Sequence, residues 1–535
     1  MLPAKGTRVF AFPKDPMTSN DTLAAAAAAP RLPADASPAG NFASQLVNRI
    51  LTPSVADLLF VLVIVCSFLS PKEGWQRLFL DGDAGLHIRV GDLILATGKV
   101  PTTDPFSFSI PGKEWFAFEW GSEAIFSYLH QSWGLKGVAL LTGVVLSATF
   151  ALLFLFCVWR GANGGVSLFM ALLAASATTI HFHARPHVFT LLFFVVSLWA
   201  LERDRRTPGR WVWALVPLAA LWANLHGGFM MLLVALGLFA LGDWMETRRF
   251  PMKLVLLAVA CAAATLVNPY GYRLHQHIIE TMDAKWLIDI VDEFKSPSFR
   301  GEAMSIYMAA LFASLGFLGR LLFQRRFREV FLLLFLAWAS LTSVRHVPLF
   351  LLAALPIVGV ELTLLWNQAV AGLPRTSVFR ILDEVAAKLS GGGHQLTAWS
   401  GAFIVFLAMA PGLAWPGDFD PKLFPTKFIA AHSQMLTRGR LFTTDQWNDY
   451  LVYRNYPHQR VFIDGRHNYY GEALVRDFAA LLGGSPDWQK LLRRYEFDRA
   501  LVPPEAALTA LLRTDPAWHE EASDKQAVLF VRDGR

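Results

Sequence analysis

The sequence predicts an α-helical polytopic membrane protein, with about eleven transmembrane helices and a small extracytoplasmic α/β domain at its C-terminal end. Three observations predict it. The composition is far too apolar for a soluble chain, arginine-rich loops alternate regularly between apolar runs, and the pattern changes to short strands and helices after residue 415.

Of 535 residues, 54% are hydrophobic and only 17% charged, with a mean hydropathy of +0.39. Soluble domains carry about 25% charged residues. The net charge of +6 falls largely in short loops, where it orients helices, so it is no argument for a nucleic-acid partner. Cys66, Cys157 and Cys261 all lie in apolar runs, which excludes a disulfide framework or a zinc-ligand spacing.

Residues 1–48 read as a disordered tail, Ala- and Pro-rich through TLAAAAAAPRLPADASPAG, without the Leu-rich core of a secretory signal. Residues 49–415 hold the membrane domain. Apolar runs occupy 55–70, 137–158, 164–182, 186–202, 211–224, 228–245, 253–269, 303–322, 329–344, 348–366 and 397–415. Each approaches the ~17–25 residues needed to span a bilayer. The Asn224-Leu225-His226-Gly227-Gly228 break divides 211–245 into two spans joined by a tight turn.

Arginine and lysine then set the orientation. Arg203, Arg205, Arg206 and Arg210 follow one span; Arg248, Arg249 and Lys253 follow another. Arg320, Arg325, Arg326 and Arg328 come next, then Arg375, Arg380 and Lys388 in a segment, 376–390, suited to a surface helix. These loops alternate, so they are expected inside, with the N-terminus cytoplasmic and the C-terminus outside. Two larger parts therefore face outward, the loop 71–136 and the tail 416–535. In the tail RVFID, DRALVPP and AVLFVRD read as strands, while EALVRDFAALLG and AALTALLR have helical spacing.

The same threading collects chemistry on the outer face. In Asp81-Gly82-Asp83-Ala84-Gly85-Leu86-His87, a helix from about Ala84 to Thr97 puts Asp83 and His87 one turn apart. The pair suits a divalent cation or a general base, but on spacing alone Asp83 as a plain helix N-cap is the favoured reading. Glu119 and Glu123 form a second one-turn pair, readable as a site or as the solvated face of an interfacial helix. Arg185, Arg273 and the Arg345-His346 turn close outer span ends, as do His181, Asn224, His226 and Asn268. Arginine there either snorkels to the interface or grips a phosphate. In the tail, Asp464-Gly465-Arg466 reads as a strand-end turn, and Trp447, Tyr469 and Tyr470 as either packing or sugar-stacking residues. Charged groups within a membrane domain are costly, and their convergence on one face points to a site.

These segments carry a resemblance. The runs DGDAGLHIRVGDLILATGKVPTTDPFSF and EWFAFEWGSEAIF, then HARPHVFTLL, LWANLHGGF, LVNPYGYRL, VRHVPLFLLAALP and VFIDGRHNYYGE, resemble bacterial membrane glycosyltransferases of the GT-C superfamily. The group is the RgtA/B/C/D-like one, related to dolichyl-phosphate-mannose protein mannosyltransferases, and the resemblance covers most of 55–535. It implies a GT-C-like fold in the bacterial inner membrane and a polyprenyl-phosphate-linked sugar donor. It also implies transfer, usually inverting, of a hexosyl or pentosyl group to a lipid, glycan or protein acceptor in the cell envelope. By position, Asp83 or Asp81 matches the motif acid that deprotonates the acceptor hydroxyl, with Asp83 first. Arg185, Arg273 and Arg345 are candidates for the leaving phosphate, and His87, Glu119, His226 and His346 for substrate binding. Gly82 separates the two aspartates, a departure from the family's adjacent acids that leaves their division of labour open. The resemblance fixes no cofactor; a divalent metal ion, magnesium or manganese, is compatible with it, and His87 and Glu119 are placed either to bind such an ion or to orient the acid, so its ligands stay unassigned. A flippase for a lipid-linked glycan would use the same arginines without a base, and a non-catalytic relative would need neither.

Overall fold

The computed structural model describes residues 47, 51–70, 72–391 and 395–534, so the expected disordered tail, Val47 apart, lies outside the described residues. Residues 52–535 form one compact unit.

Each apolar run expected from the sequence contains a helix, although those in 253–269 and 397–415 end early, at Ala264 and Met409. In chain order the main helices begin with α1 (Val55–Ile64), α2 (Asp83–Thr97), α3 (Trp120–Trp133), α4 (Leu135–Arg160) and α5 (Gly164–Thr178). Next come α6 (His187–Arg206), α7 (Leu215–Ala223), α8 (Met230–Thr247), α9 (Met252–Ala264) and α10 (Arg273–Asp283). The helices α11 (Glu302–Phe323), α12 (Phe327–Thr342), α13 (Val347–Val370), α14 (Val378–Gly391) and α15 (Ala398–Met409) complete the apolar part. Among the described residues, five helical stretches are long and apolar enough to cross a membrane: Leu135–Arg160, Gly164–His181, Gly227–Thr247, Glu302–Phe323 and Val344–Val370. Shorter apolar helices cover Val55–Leu69, Trp211–Ala223, Met252–Ala264 and Ala398–Met409. The chain is a multi-pass membrane protein.

The arginines of the basic loops are drawn into one end of the bundle. Arg326 meets Glu329 at 2.9 Å, Arg320 meets the fully buried Glu361 at 2.8 Å and Arg205 meets Glu246 at 3.3 Å. Helix α6 carries Arg205 in its last turn and begins just after Arg185, so those two arginines mark ends about 30 Å apart. The expected surface helix is α14, which leaves Val378, Ile381, Leu382 and Val385 about half-exposed and rests Ala386 against α5 at Gly165.

The 71–136 loop folds into α2 packed on α3. Their backbones come so close at Gly91 that a Cβ there would strike the Glu123 carbonyl and lie 2.6 Å from the Ser127 Cβ. On another side of α2, Gly85 leaves room for Tyr453, whose Cβ would be 2.7 Å from a methyl at that position. Tyr453 belongs to α16 (Asp445–Asn455), in the tail.

The tail is a mixed α/β unit. Its sheet has the order β1-β2-β4-β3, from Leu441–Phe442, Arg499–Val502, Trp518–Ser523 and Val528–Arg532. Strand β1 pairs with β2 in parallel and the other neighbours are antiparallel. DRALVPP and AVLFVRD supply the expected strands, and EALVRDFAALLG supplies α17 (Glu472–Leu482). RVFID does not join the sheet. Val461 instead makes an isolated bridge to the first loop, giving its N–H to the Phe106 carbonyl and accepting the Phe108 N–H. Trp447, Tyr469 and Tyr470 are buried, which favours the packing reading over sugar stacking.

Candidate active site

The segment ahead of α2 bends so that Asp81 Oδ1 accepts the Asp83 N–H at 3.0 Å. Gly82 is the helix N-cap and Asp83 the first helical residue, so the expected capping role for Asp83 is corrected: Asp81, two residues earlier, serves the backbone and the Asp83 carboxylate is released. That carboxylate turns to Arg185. The Arg185 turn is stitched to the same segment through Ala184 N–H donating to the Leu78 carbonyl at 2.9 Å.

One guanidinium then serves three carboxylates. Arg185 Nη2 holds Asp83 Oδ2, while Nη1 holds Asp81 Oδ2 at 2.9 Å and Glu293 Oε1. Five N–H donors on a rigid plane make this possible. Burial raises the pKa of Asp81 above the usual carboxylate range, against the pull of Arg185 and with a push from Asp83. Arg185 holds Glu293 far below its ordinary value, against its burial.

Glu293 arrives on the 284–300 loop. Ser343 Oγ donates to the Glu293 carbonyl at 2.8 Å, and Val344 N–H to that of Lys295 at 2.9 Å. Arg345 stacks 4.7 Å above the Phe294 ring. Arg345 therefore reaches the same corner as Arg185, and adjoining His346 leaves Nδ1 buried without a partner.

A second cluster adjoins the first, one turn along α2. His87 Nδ1 lies 3.1 Å from Glu123 Oε1, and its Nε2 lies 3.7 Å from Glu119 Oε2. His226 Nε2 approaches Glu119 Oε1 at 3.5 Å. Thr190 Oγ1 sits 2.8 Å from the His226 Nδ1, which also receives the Gly228 N–H at 2.9 Å. Burial lifts the Glu119 pKa to about 7, with His87 opposing and Glu123 adding to the rise. Burial disfavours a charged His87, but the Glu123 hydrogen bond and the charges of Glu119, Glu123 and Asp83 raise its pKa overall. His226 goes the other way, to about 3, through burial and then the charges of Arg345 and Arg185.

This cluster fits a divalent cation. One donor atom each from His87, Glu119 and Glu123 lies within 4.8 Å of the others, and Glu123 Oε2 is buried with no partner. An imidazole and two carboxylates form an oxygen-rich donor set of the kind magnesium or manganese accepts.

The structure therefore brings Asp81, Asp83 and Arg185 together, and His87, Glu119 and His226 beside them, with Arg345 and His346 at the edge. Arg273 stands apart. It is half-exposed, paired with Glu114 at 2.6 Å and set over the Phe116 ring. In the tail, Arg466 pairs with Asp464 at 2.5 Å and with Asp104 at 2.8 Å, so Asp464-Gly465-Arg466 is a structural turn tied to the first loop.

Sequence reasoning missed Glu293, and it missed the tail's approach to Asp83. Gln446 Oε1 accepts the Gly82 N–H at 2.8 Å, Asp449 lies buried against Gly82, and His467 meets Asp445 at 3.1 Å. For Glu293 the one available signal was the length of its loop; for Asp449 there was none.

No protein-family model and no curated protein matches this sequence. Solved structures do. The oligosaccharyltransferase of Archaeoglobus fulgidus in its apo form overlays with a TM-score of 0.54 at 11% identity, over 84% of this chain and 69% of that one. The same protein, AglB, in complex with an inhibitory peptide and a dolichol-phosphate, gives 0.53 at 11% identity, with the same coverage of both chains. The fold is GT-C-like. ArnT from Cupriavidus metallidurans in the apo state overlays more loosely, at 0.47 and 13% identity over 92% of this chain and 98% of that one.

Proposed function

We propose that this chain is an inverting membrane glycosyltransferase that moves a hexosyl or pentosyl group from a polyprenyl-phosphate donor to an acceptor in the cell envelope. The observation that carries the reading is the ion pair of Asp83 with Arg185, which the reading takes as a base beside a phosphate-binding cation. The GT-C-like fold, found also in an oligosaccharyltransferase solved in complex with a dolichol-phosphate, supports it.

In this reading Asp83 takes the proton of the acceptor hydroxyl as its oxygen bonds to the anomeric carbon. The sugar–phosphate C–O bond breaks on the opposite face, and the polyprenyl phosphate leaves with the electron pair. Arg185 and Arg345 receive its charge, which requires Glu293 to yield its place on Arg185. Base assistance of this kind supplies about 10²–10⁴-fold. His87, Glu119 and Glu123 would hold a divalent ion, which adds Lewis-acid charge near the leaving phosphate when bound. His226 orients Glu119. The acceptor is a lipid, glycan or protein hydroxyl.

The membrane arrangement belongs to the same proposal: about eleven spans in residues 49–415, a cytoplasmic N-terminus and an extracytoplasmic domain over 416–535 in the bacterial inner membrane. Mass spectrometry of surface glycans and lipid-linked sugars, with and without the chain, tests the function. Loss of one glycan and accumulation of its lipid-linked precursor is the expected result; identical profiles would sink the reading.

A further inference from the structure

Asp449 has no part in the reaction above, and its surroundings call for a role. It lies on α16, fully buried, and its hydrogen bonds are two from the single Gly465 N–H, at 3.2 Å to each oxygen. The charges around it are those of Asp83, Asp464 and Asp445, all acidic, while His467 is engaged by Asp445. A buried carboxylate without a cation is very costly, so the group takes a proton instead. Burial first, then Asp83 and Asp464, push its pKa well above the usual range.

The complementary defect lies on Asp83. Its Oδ2 is held by Arg185, but Oδ1 is buried and has no partner. Both acids press on Gly465: a Cβ there would lie 3.0 Å from Asp449 Oδ2 and closer still to Asp83 Oδ1. Gly82 is equally tight, with the Asp449 Cβ 2.7 Å and its Oδ2 3.3 Å from where a methyl would stand. Glycine at both positions lets the two carboxyl groups approach across the junction of tail and membrane domain. The unmet Asp83 Oδ1 and the Asp449 Oδ2 thus both lie beside Gly465, within reach of one carboxyl proton.

We propose that Asp449 is the positioning residue for Asp83, its carboxyl O–H serving Asp83 Oδ1 while Arg185 serves Oδ2. The two contacts fix the plane of the carboxylate and leave each oxygen a lone pair for the acceptor's proton. The tail thereby becomes part of the active site, and the base is correctly held only when the tail is docked. The inference rests on the reading of Asp83 as base.

Two substitutions in the full chain test it. Asp449→Asn keeps an N–H donor and no titrating proton; Asp449→Ala removes the donor. A hydrogen bond to a charged group corresponds to about tenfold or more in rate. Asp449→Ala is therefore expected to lower the glycan product about tenfold, with Asp449→Asn retaining most of it. Infrared spectra of the purified chain at neutral pH supply the second readout. Wild type minus Asp449→Asn should show the carbonyl band of a protonated carboxylic acid. Full activity of Asp449→Ala, equal loss in both variants, or absence of that band overturns the proposal. If the wild type makes no product the function reading has failed instead, and the infrared band still judges the carboxyl pair.

Discussion

Glu293 occupies the same Nη1 of Arg185 that holds Asp81, so a residue from a distant loop sits where an incoming phosphate would need positive charge. Glu293 is also the most exposed of the three acids on that guanidinium. Glu293→Gln removes one competing charge and leaves Arg185 anchored by Asp81 and Asp83. Undecaprenyl phosphate, titrated against the purified chain in detergent micelles, should bind about five- to tenfold more tightly to this variant. Arg185→Ala should weaken the same binding about tenfold or more. Equal affinities across the series would remove Arg185 from the phosphate site.

Asp83→Asn should sharply lower transfer while the chain still folds. Arg185 keeps two of its three carboxylates, so no buried cation is stranded. Loss of a general base predicts a fall of about 10²–10⁴-fold in glycan product. Asp81→Asn should cost less, because its amide oxygen still accepts the Asp83 N–H and the substitution removes only a charge facing Arg185, not the base. Thermal unfolding of each variant, measured beside the glycan profile, separates chemistry from folding.

Manganese binding checks the His87, Glu119 and Glu123 cluster independently of any sugar. The wild-type chain should take up Mn²⁺ visible by electron paramagnetic resonance. Glu123→Gln should weaken it at least about tenfold, since even outer-shell partners are worth that much. His226→Ala should have the smaller effect, because His226 touches Glu119 rather than the cluster's centre. No difference between Glu123→Gln and wild type would clear the cluster of metal.

The raised pKa of Asp449 has a stability consequence. The native state holds a proton that the unfolded chain releases near the ordinary 3.8. The contribution is complete below that value and is lost as pH climbs toward the folded pKa. Asp449→Asn cannot titrate. The melting temperature of wild type relative to Asp449→Asn should therefore fall as pH rises above about 4. A constant gap would mean that Asp449 is ionised in the folded protein.

The spans were legible because hydropathy is a local property: a run such as 137–158 needs no partner to prefer lipid, and α4 covers Leu135–Arg160. The first-loop acids were legible as a motif, and Arg185 as an arginine at a span end. Glu293 and Asp449 were not, since their meaning comes from Arg185 and Asp83, more than a hundred residues away in the chain. RVFID shows the same limit: it forms no strand, and Val461 makes only an isolated bridge to the first loop instead of joining the tail's sheet.

The sequence by itself therefore determined the class of molecule, the positions of its apolar helices and the first suspects for the site. Burial of apolar runs and repulsion of arginine from lipid act residue by residue, and both are written in composition and spacing. Tertiary structure decided which carboxylates meet Arg185, that His87 joins Glu119 and Glu123, and that the tail's Asp449 reaches Asp83. Those pairings depend on long-range packing, down to the missing side chains of Gly82, Gly91 and Gly465, and no local preference encodes them.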